Sequence, residues 1–271
     1  MLPHLRGVAI KAISLDCQGT LYHHRAPIEN VYARLAASLL SQAPSADEFR
    51  EAFRVSYSET LRTYPCYRYP SHDDANYSTR RWWRELCRRT LELTGKGYSD
   101  EQIDRFFRGV YQHYGSLAGY APFPDAVNFV KSLSSLNTAE RPAVFLGVTA
   151  NCSARTIDTT LPVLQFSEHM HFFTSSQEAG CDKPSLQIYA LTYRALQQWD
   201  PTIKKNEVLH IGASVKDDYA AAKEFGFQAL WLERPGAKPS DPGSSDLHLA
   251  HHLETNTVRG LDEVCQRLGM Q

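Results

Sequence analysis

Four short segments of this 271-residue chain carry side chains able to do chemistry. Asp16-Cys17-Gln18-Gly19-Thr20-Leu21-Tyr22 follows an apolar run of strand formers over residues 9–15, which delivers a carboxylate and then turns at Gly19. Val148-Thr149-Ala150-Asn151 closes a second apolar run that begins at Ala143. Gly180-Cys181-Asp182-Lys183-Pro184, with Tyr189 beyond it, brings an ammonium, and His210-Ile211-Gly212-Ala213-Ser214-Val215-Lys216-Asp217-Asp218 adds two carboxylates. A carboxylate can attack as a nucleophile, and a nearby cation can offset the charge that develops.

Strand and helix patterns alternate around these segments. Strand character at 9–15 returns at 143–148, 171–173, 208–211 and 228–232, with helical patterns between, one of them over 125–136. Strands alternating with helices predict a parallel sheet with right-handed crossovers, in which ligands sit beyond the carboxyl ends of the strands. From Pro27 the pattern is helical. Ser45 and Glu48 have capping-box spacing ahead of Phe49, Phe53 and Tyr57, and Ser99 and Gln102 repeat it ahead of Ile103, Phe106 and Phe107. No convincing strand falls in 24–118. The expected organisation is therefore an α/β core of residues 1–23 plus 119–271, interrupted by a helical insert at 24–118. The Pro-, Gly- and Ser-rich stretch 234–245 reads as a surface loop.

Composition narrows the class. Hydrophobic residues make up 42% and charged residues 22%, no apolar run reaches the length of a membrane-spanning helix, and residues 1–8 are too short to be a targeting peptide. Lys+Arg 29 against Asp+Glu 30 gives a net charge of -1, so no global field favours nucleic acid or an anionic membrane surface. The six cysteines form no C-x-x-C pair, which argues against zinc and against a disulfide framework. A reducing intracellular compartment, the cytoplasm by default, is the expectation.

Taken in order, the four segments resemble the motifs of the haloacid dehalogenase superfamily, whose first motif is usually Asp-x-Asp-Gly-Thr-Leu. The resemblance implies a Rossmann-like parallel-sheet core with an all-helical cap inserted after the first strand. It also implies hydrolysis through an aspartyl intermediate, with Asp16 as nucleophile and Lys183 neutralising nucleophile and substrate. Thr20, Asn151 and either Thr149 or Ala150 would contact a phosphoryl group, the last two depending on whether the alignment runs through Asn151 or shifts by one residue. Magnesium would be held by Asp16, the backbone of Gln18 and Asp218. Within the superfamily, Tyr77-Ser78-Thr79-Arg80-Arg81-Trp82-Trp83 is similar to the cap segment of a branch with paired tryptophans, which also departs from the second aspartate.

Two departures weaken that picture. Gln18 replaces the general acid/base, a function typically worth ~10²- to 10⁴-fold, and Ala213 stands where a direct magnesium ligand is expected. The expectation is a weakened magnesium site in a weakly active or non-catalytic protein that takes a small phosphorylated or anionic molecule, or a protein partner in an assembly role. A slow magnesium-dependent phosphomonoester hydrolase is the first alternative. A metal-independent dehalogenase-type hydrolase is the second, with Lys183, Tyr189 and Asp218 in register and Val215 at a position expected to be polar. Simpler packing roles compete at several places. Asp217 and Asp218 suit the first turn of a helix, Trp82 and Trp83 suit a cap core, and Arg80, Arg81, Arg84, Arg88 and Arg89 suit a solvated helix face. His23, His24, His251 and His252 lack partners at metal-site spacing.

Overall fold

The structure, a computed structural model, describes residues 3–70, 75–137, 142–236 and 253–270. Most of the loop expected at 234–245, with His251 and His252, lies outside the described residues. The chain divides into two compact units: Met1–His23, Pro122–Asn151 and Gln165–Gln271 form the first, and His24–Ala121 with Cys152–Leu164 the second. Residues 152–164, read from sequence as part of the core, group with the helical unit. There the Arg155 guanidinium donates to the Tyr111 carbonyl at 2.5 Å.

The first unit is built on a parallel sheet. Its six strands are β1 (Ala12–Leu15), β2 (Phe145–Ala150), β3 (Phe172–Ser175), β4 (Val208–Gly212), β5 (Gln228–Leu232) and β6 (Thr257–Val258), in the spatial order β6-β5-β4-β1-β2-β3. Every pairing is parallel, with Leu15 beside Val148 on one side and Ile211 on the other. All residues of β1, β2 and β4 are buried, as expected of a sheet covered on both faces. Chain order reverses at β1 and β4, which makes the gap beyond their carboxyl ends the topological switch point where such folds bind ligands. Three polar residues interrupt these buried strands, Ser14, Thr149 and His210, and Thr174 and Ser175 are buried in β3.

The second unit is built on the long helices α1 (Ile28–Leu39), α2 (Ala46–Thr63), α3 (Ala75–Leu93) and α4 (Asp100–His113). Both expected capping boxes form, with Ser45 and Glu48 opening α2 and Ser99 and Gln102 opening α4. On α4 the buried residues Ile103, Phe106, Phe107 and Val110 recur at helical spacing and meet Tyr32, Phe49, Cys87 and Leu91. Trp82 is fully buried against Tyr67 and Leu86, and its indole N–H donates to the Tyr64 carbonyl at 2.9 Å. On the basic run, Arg84 pairs with Asp104, while Arg88 and Arg89 pair with Glu85.

Two further helices complete the scaffold of the site, α5 (Pro124–Ser135) and α6 (Leu186–Trp199). Observed strands begin and end within three residues of the expected ones, the first strand starting at Ala12 where 9 was expected. The short edge strand β6 was not expected, because two residues carry no readable period.

Candidate active site

Asp16 lies just past the end of β1, and its backbone N–H extends the ladder to Ile211 with a 2.9 Å bond. Its carboxylate accepts from the Lys183 ammonium at 2.8 Å. Burial pushes the Asp16 carboxyl up to about 6; Lys183 pulls it down and neighbouring Asp218 pushes it up again. Asp16 is therefore a carboxylate at neutral pH but a reluctant one.

Lys183 arrives from the loop between β3 and α6. Its ammonium is buried and donates to Asp16, to the Thr149 carbonyl at 3.1 Å and to Oδ1 of Asp218. Burial alone would lower the lysine, but Asp16 and Asp218 outweigh it and hold the group well above the ordinary range. Asn151 fixes the loop that carries it: its carboxamide donates to the Lys183 carbonyl at 3.0 Å and accepts from the Lys183 N–H at 2.6 Å.

Asp218 sits in the turn after β4, where Ser214 caps the following segment by accepting from the Asp217 N–H. The carboxylate folds back over Gly212. A Cβ on Gly212 would lie 2.2 Å from Cγ of Asp218, so only glycine leaves that path open. Both oxygens are engaged: Oδ1 takes Lys183 and, at 3.1 Å, Nε2 of His210, while Oδ2 takes the Ser214 N–H at 2.9 Å. Burial opposes ionisation of Asp218, but Lys183 and His210 overcome it and hold the carboxyl below its ordinary value. His210 is pushed down by its own burial and so is neutral near pH 7.

Behind this cluster runs a buried polar chain. Nδ1 of His210 is 3.0 Å from Ser14 Oγ, which lies 2.7 Å from Thr149 Oγ1. Thr149 Oγ1 is 2.7 Å from Thr192 Oγ1 on α6, which donates to Thr174 Oγ1 at 3.1 Å. Satisfied buried networks of this kind fix one arrangement of the groups they hold. The hydroxyl of Thr149 thus points into the core, and the next position on the strand is the buried Ala150.

The other expected residues fall nearby with different surroundings. Gln18 is exposed, and among the described residues its side chain makes no hydrogen bond. Thr20 is fully buried, and its Oγ1 has no hydrogen-bond partner among the described residues. Ala213 lies beside Gly19, and its carbonyl accepts from the Trp231 indole at 3.0 Å. Asp217 offers its backbone carbonyl to the Tyr189 hydroxyl at 2.6 Å.

Sequence reasoning missed His210, Ser14 and Arg234. The first two had a readable signal: polar residues inside strands too apolar to face water. Arg234 had none, since it opens an unpatterned loop. Its guanidinium donates to the carbonyls of Gly19 at 3.1 Å and Thr20 at 2.8 Å, and it pairs with Asp125 and stacks over Phe123. It pins the turn that follows Asp16. Among the described residues, no three His, Cys, Asp or Glu side chains are grouped to hold a metal ion.

This parallel sheet, with an aspartate after the first strand and a lysine from the loop after β3 on its carboxylate, is a Rossmann-like α/β core. A family profile for haloacid dehalogenase-like hydrolases matches residues 10–226, and the chain belongs to that family. It is 24% identical over 233 residues to haloacid dehalogenase-like hydrolase domain-containing protein 3 of Xenopus laevis, covering 86% of this chain and 87% of that one. Among solved structures, it resembles a defluorinating L-2-haloacid dehalogenase with a TM-score of 0.67, at 16% identity over 99% of both chains. It also resembles the HAD-hydrolase YfnB from Bacillus subtilis bound to magnesium, with a TM-score of 0.60, at 14% identity over 96% of this chain and 99% of that one. At these identities the structural likenesses establish the fold.

Proposed function

We propose that this haloacid dehalogenase-like chain binds a small anionic molecule, phosphorylated or carboxylate-bearing, at Asp16 and Lys183, and turns phosphomonoesters over slowly or not at all. The observation that carries this reading is the engagement of Asp218. Magnesium demands near-octahedral oxygen ligands at about 2.0–2.1 Å. Here Asp218 is 2% exposed with both oxygens taken by donors, an ammonium stands between it and Asp16, and Ala213 has no ligand atom on its side chain. The side chains present do not fit a magnesium ion, and no step is assigned to one.

The pocket's own groups define what it can do. Lys183 offsets the negative charge of Asp16 and of an incoming anion, the electrostatic part of catalysis. Gln18 can neither protonate a leaving alkoxide nor activate water, which removes an acid/base contribution of ~10²- to 10⁴-fold. Phosphate release from a panel of phosphomonoesters tests the reading. Rates with magnesium close to those of Asp16→Asn support it. Turnover of order ~1 s⁻¹ that disappears in Asp16→Asn would overturn it.

One observation favours a second reading, metal-free displacement. The Lys183 ammonium already occupies the place between Asp16 and Asp218 where charge must be offset. Asp16 could then attack a carbon bearing a halogen: a C–O bond forms, the halide departs with its electron pair, and water later cleaves the ester to a 2-hydroxy acid. A halide leaves without a proton, so the missing acid at Gln18 is immaterial to that step. Halide release from 2-chloropropionate, lost in Asp16→Asn, is the expected result, and its absence removes this reading.

A further inference from the structure

The helical unit contains a cation whose surroundings the reading of the Asp16 pocket does not use. Arg155 Cζ lies 3.3 Å from the centroid of the Tyr111 ring, and Nη2 donates to the Tyr111 carbonyl at 2.5 Å. Gly115 makes the room: a Cβ there would come within 2.1 Å of Nη2. A second guanidinium, Arg80, stands 5.3 Å from the same Tyr111 ring and 5.6 Å from Phe107. Tyr111 therefore has two guanidinium groups around it.

Neither arginine has a carboxylate within ion-pair distance among the described residues, whereas Arg84, Arg88 and Arg89, on the same helix as Arg80, all do. Arg155 is half-buried, and burial together with the Arg80 charge lowers its affinity for its proton. Arg80 is exposed, and its like charge beside the half-buried Arg155 adds to what a shared counter-charge would relieve. Stacking on Tyr111 and the bond to its carbonyl fix the plane of the Arg155 fork, and a fixed guanidinium fork suits the paired oxygens of a carboxylate or phosphate.

We propose that Arg155, with Arg80 and the Tyr111 ring, forms an oxyanion-binding site in the helical unit, which takes a carboxylate or phosphate group. The occupant is a small anion with an apolar flank, since Tyr111 and Phe107 supply the walls. The site is independent of any turnover at Asp16.

Arginine Nε–H NMR resonances of the full chain test this directly. The Arg155 resonance is identified by its loss in Arg155→Gln, or in Arg155→Lys should the glutamine variant not fold. The wild-type protein is titrated with inorganic phosphate and, separately, with acetate at constant ionic strength. The expected result is a saturable shift of that resonance with a Kd of about 1 mM or tighter for one of the two anions, weakened several-fold in Arg80→Gln and retained in Asp16→Asn. The anion that binds more tightly names the chemistry. No saturable shift with either anion overturns the proposal, as does a shift that vanishes in Asp16→Asn.

Discussion

Nε2 of His210 donates to Oδ1 of Asp218 at 3.1 Å, onto the same oxygen that receives the Lys183 ammonium. A carboxylate with two buried donors on one oxygen and a backbone N–H on the other is a structural anchor for the lysine. Removing a donor from a buried acceptor costs about 1–3 kcal/mol. His210→Leu is therefore expected to lower unfolding stability by about 2 kcal/mol in urea melts, and His210→Gln, which can still donate, by clearly less. Equal losses for the two variants would show that packing, with no part for the bond to Asp218, accounts for the effect.

Lys183 holds two carboxylates in a place with little water. Deleting one partner of a buried ion pair destabilises strongly, by about 3–5 kcal/mol, because the other charge stays buried. Lys183→Met should show a loss of that order. Asp218→Asn in the same chain should return part of it, since it removes the charge left behind. A double-mutant cycle in chemical denaturation checks this, and simple additivity of the two losses would speak against the linkage.

Asp16 gives a pH signature of defined sign. Its folded value of about 6 lies above its ordinary 3.8, so the native state holds this proton more tightly than the unfolded chain does. The stability contributed by the group is full below the ordinary value and is lost as pH rises through about 6. Asp16→Asn cannot titrate there. Relative to wild type, it should gain up to about 3 kcal/mol in stability between acid pH and pH 8, with most of the change between the two values. Melting curves of both proteins across that range, in chelator, read the difference directly; a constant offset would contradict it.

The sequence made much of this legible, and the parts it hid have physical reasons. Asp16, Lys183 and Asp218 were readable because a parallel sheet sends its strand ends to one edge, so motif order translates into proximity. The capping boxes at Ser45 and Ser99 were readable because they are local. The direction of the Thr149 hydroxyl was not, since it depends on Ser14 and Thr192, which are brought beside it only by folding. Likewise, Asp218 was readable as a carboxylate near the site, but its engagement depends on His210 inside β4 and on the open path over Gly212. Arg155 and Tyr111 lie far apart in sequence, and nothing local announces their stacking.

Restoring the two absent carboxylates should convert the pocket. Gln18→Asp with Ala213→Asp supplies an acid/base group and a metal ligand at the positions where the family motif has them. The double variant is expected to hydrolyse p-nitrophenyl phosphate at least ~10²-fold faster than wild type, with the gain dependent on magnesium. Steady-state rates with and without chelator decide the point. A variant that folds and still shows no magnesium-dependent gain would mean that further groups are missing.

The central claim is that Lys183 and His210, and no divalent ion, satisfy Asp218. Calorimetric titration of magnesium into the full-length protein, with beryllofluoride present as a phosphoryl mimic, addresses it most directly. The expected result is no saturable binding tighter than about 1 mM in the wild type, alongside measurable binding in the Gln18→Asp, Ala213→Asp variant. Saturable wild-type binding well below that concentration, abolished by Asp16→Asn, would contradict the claim.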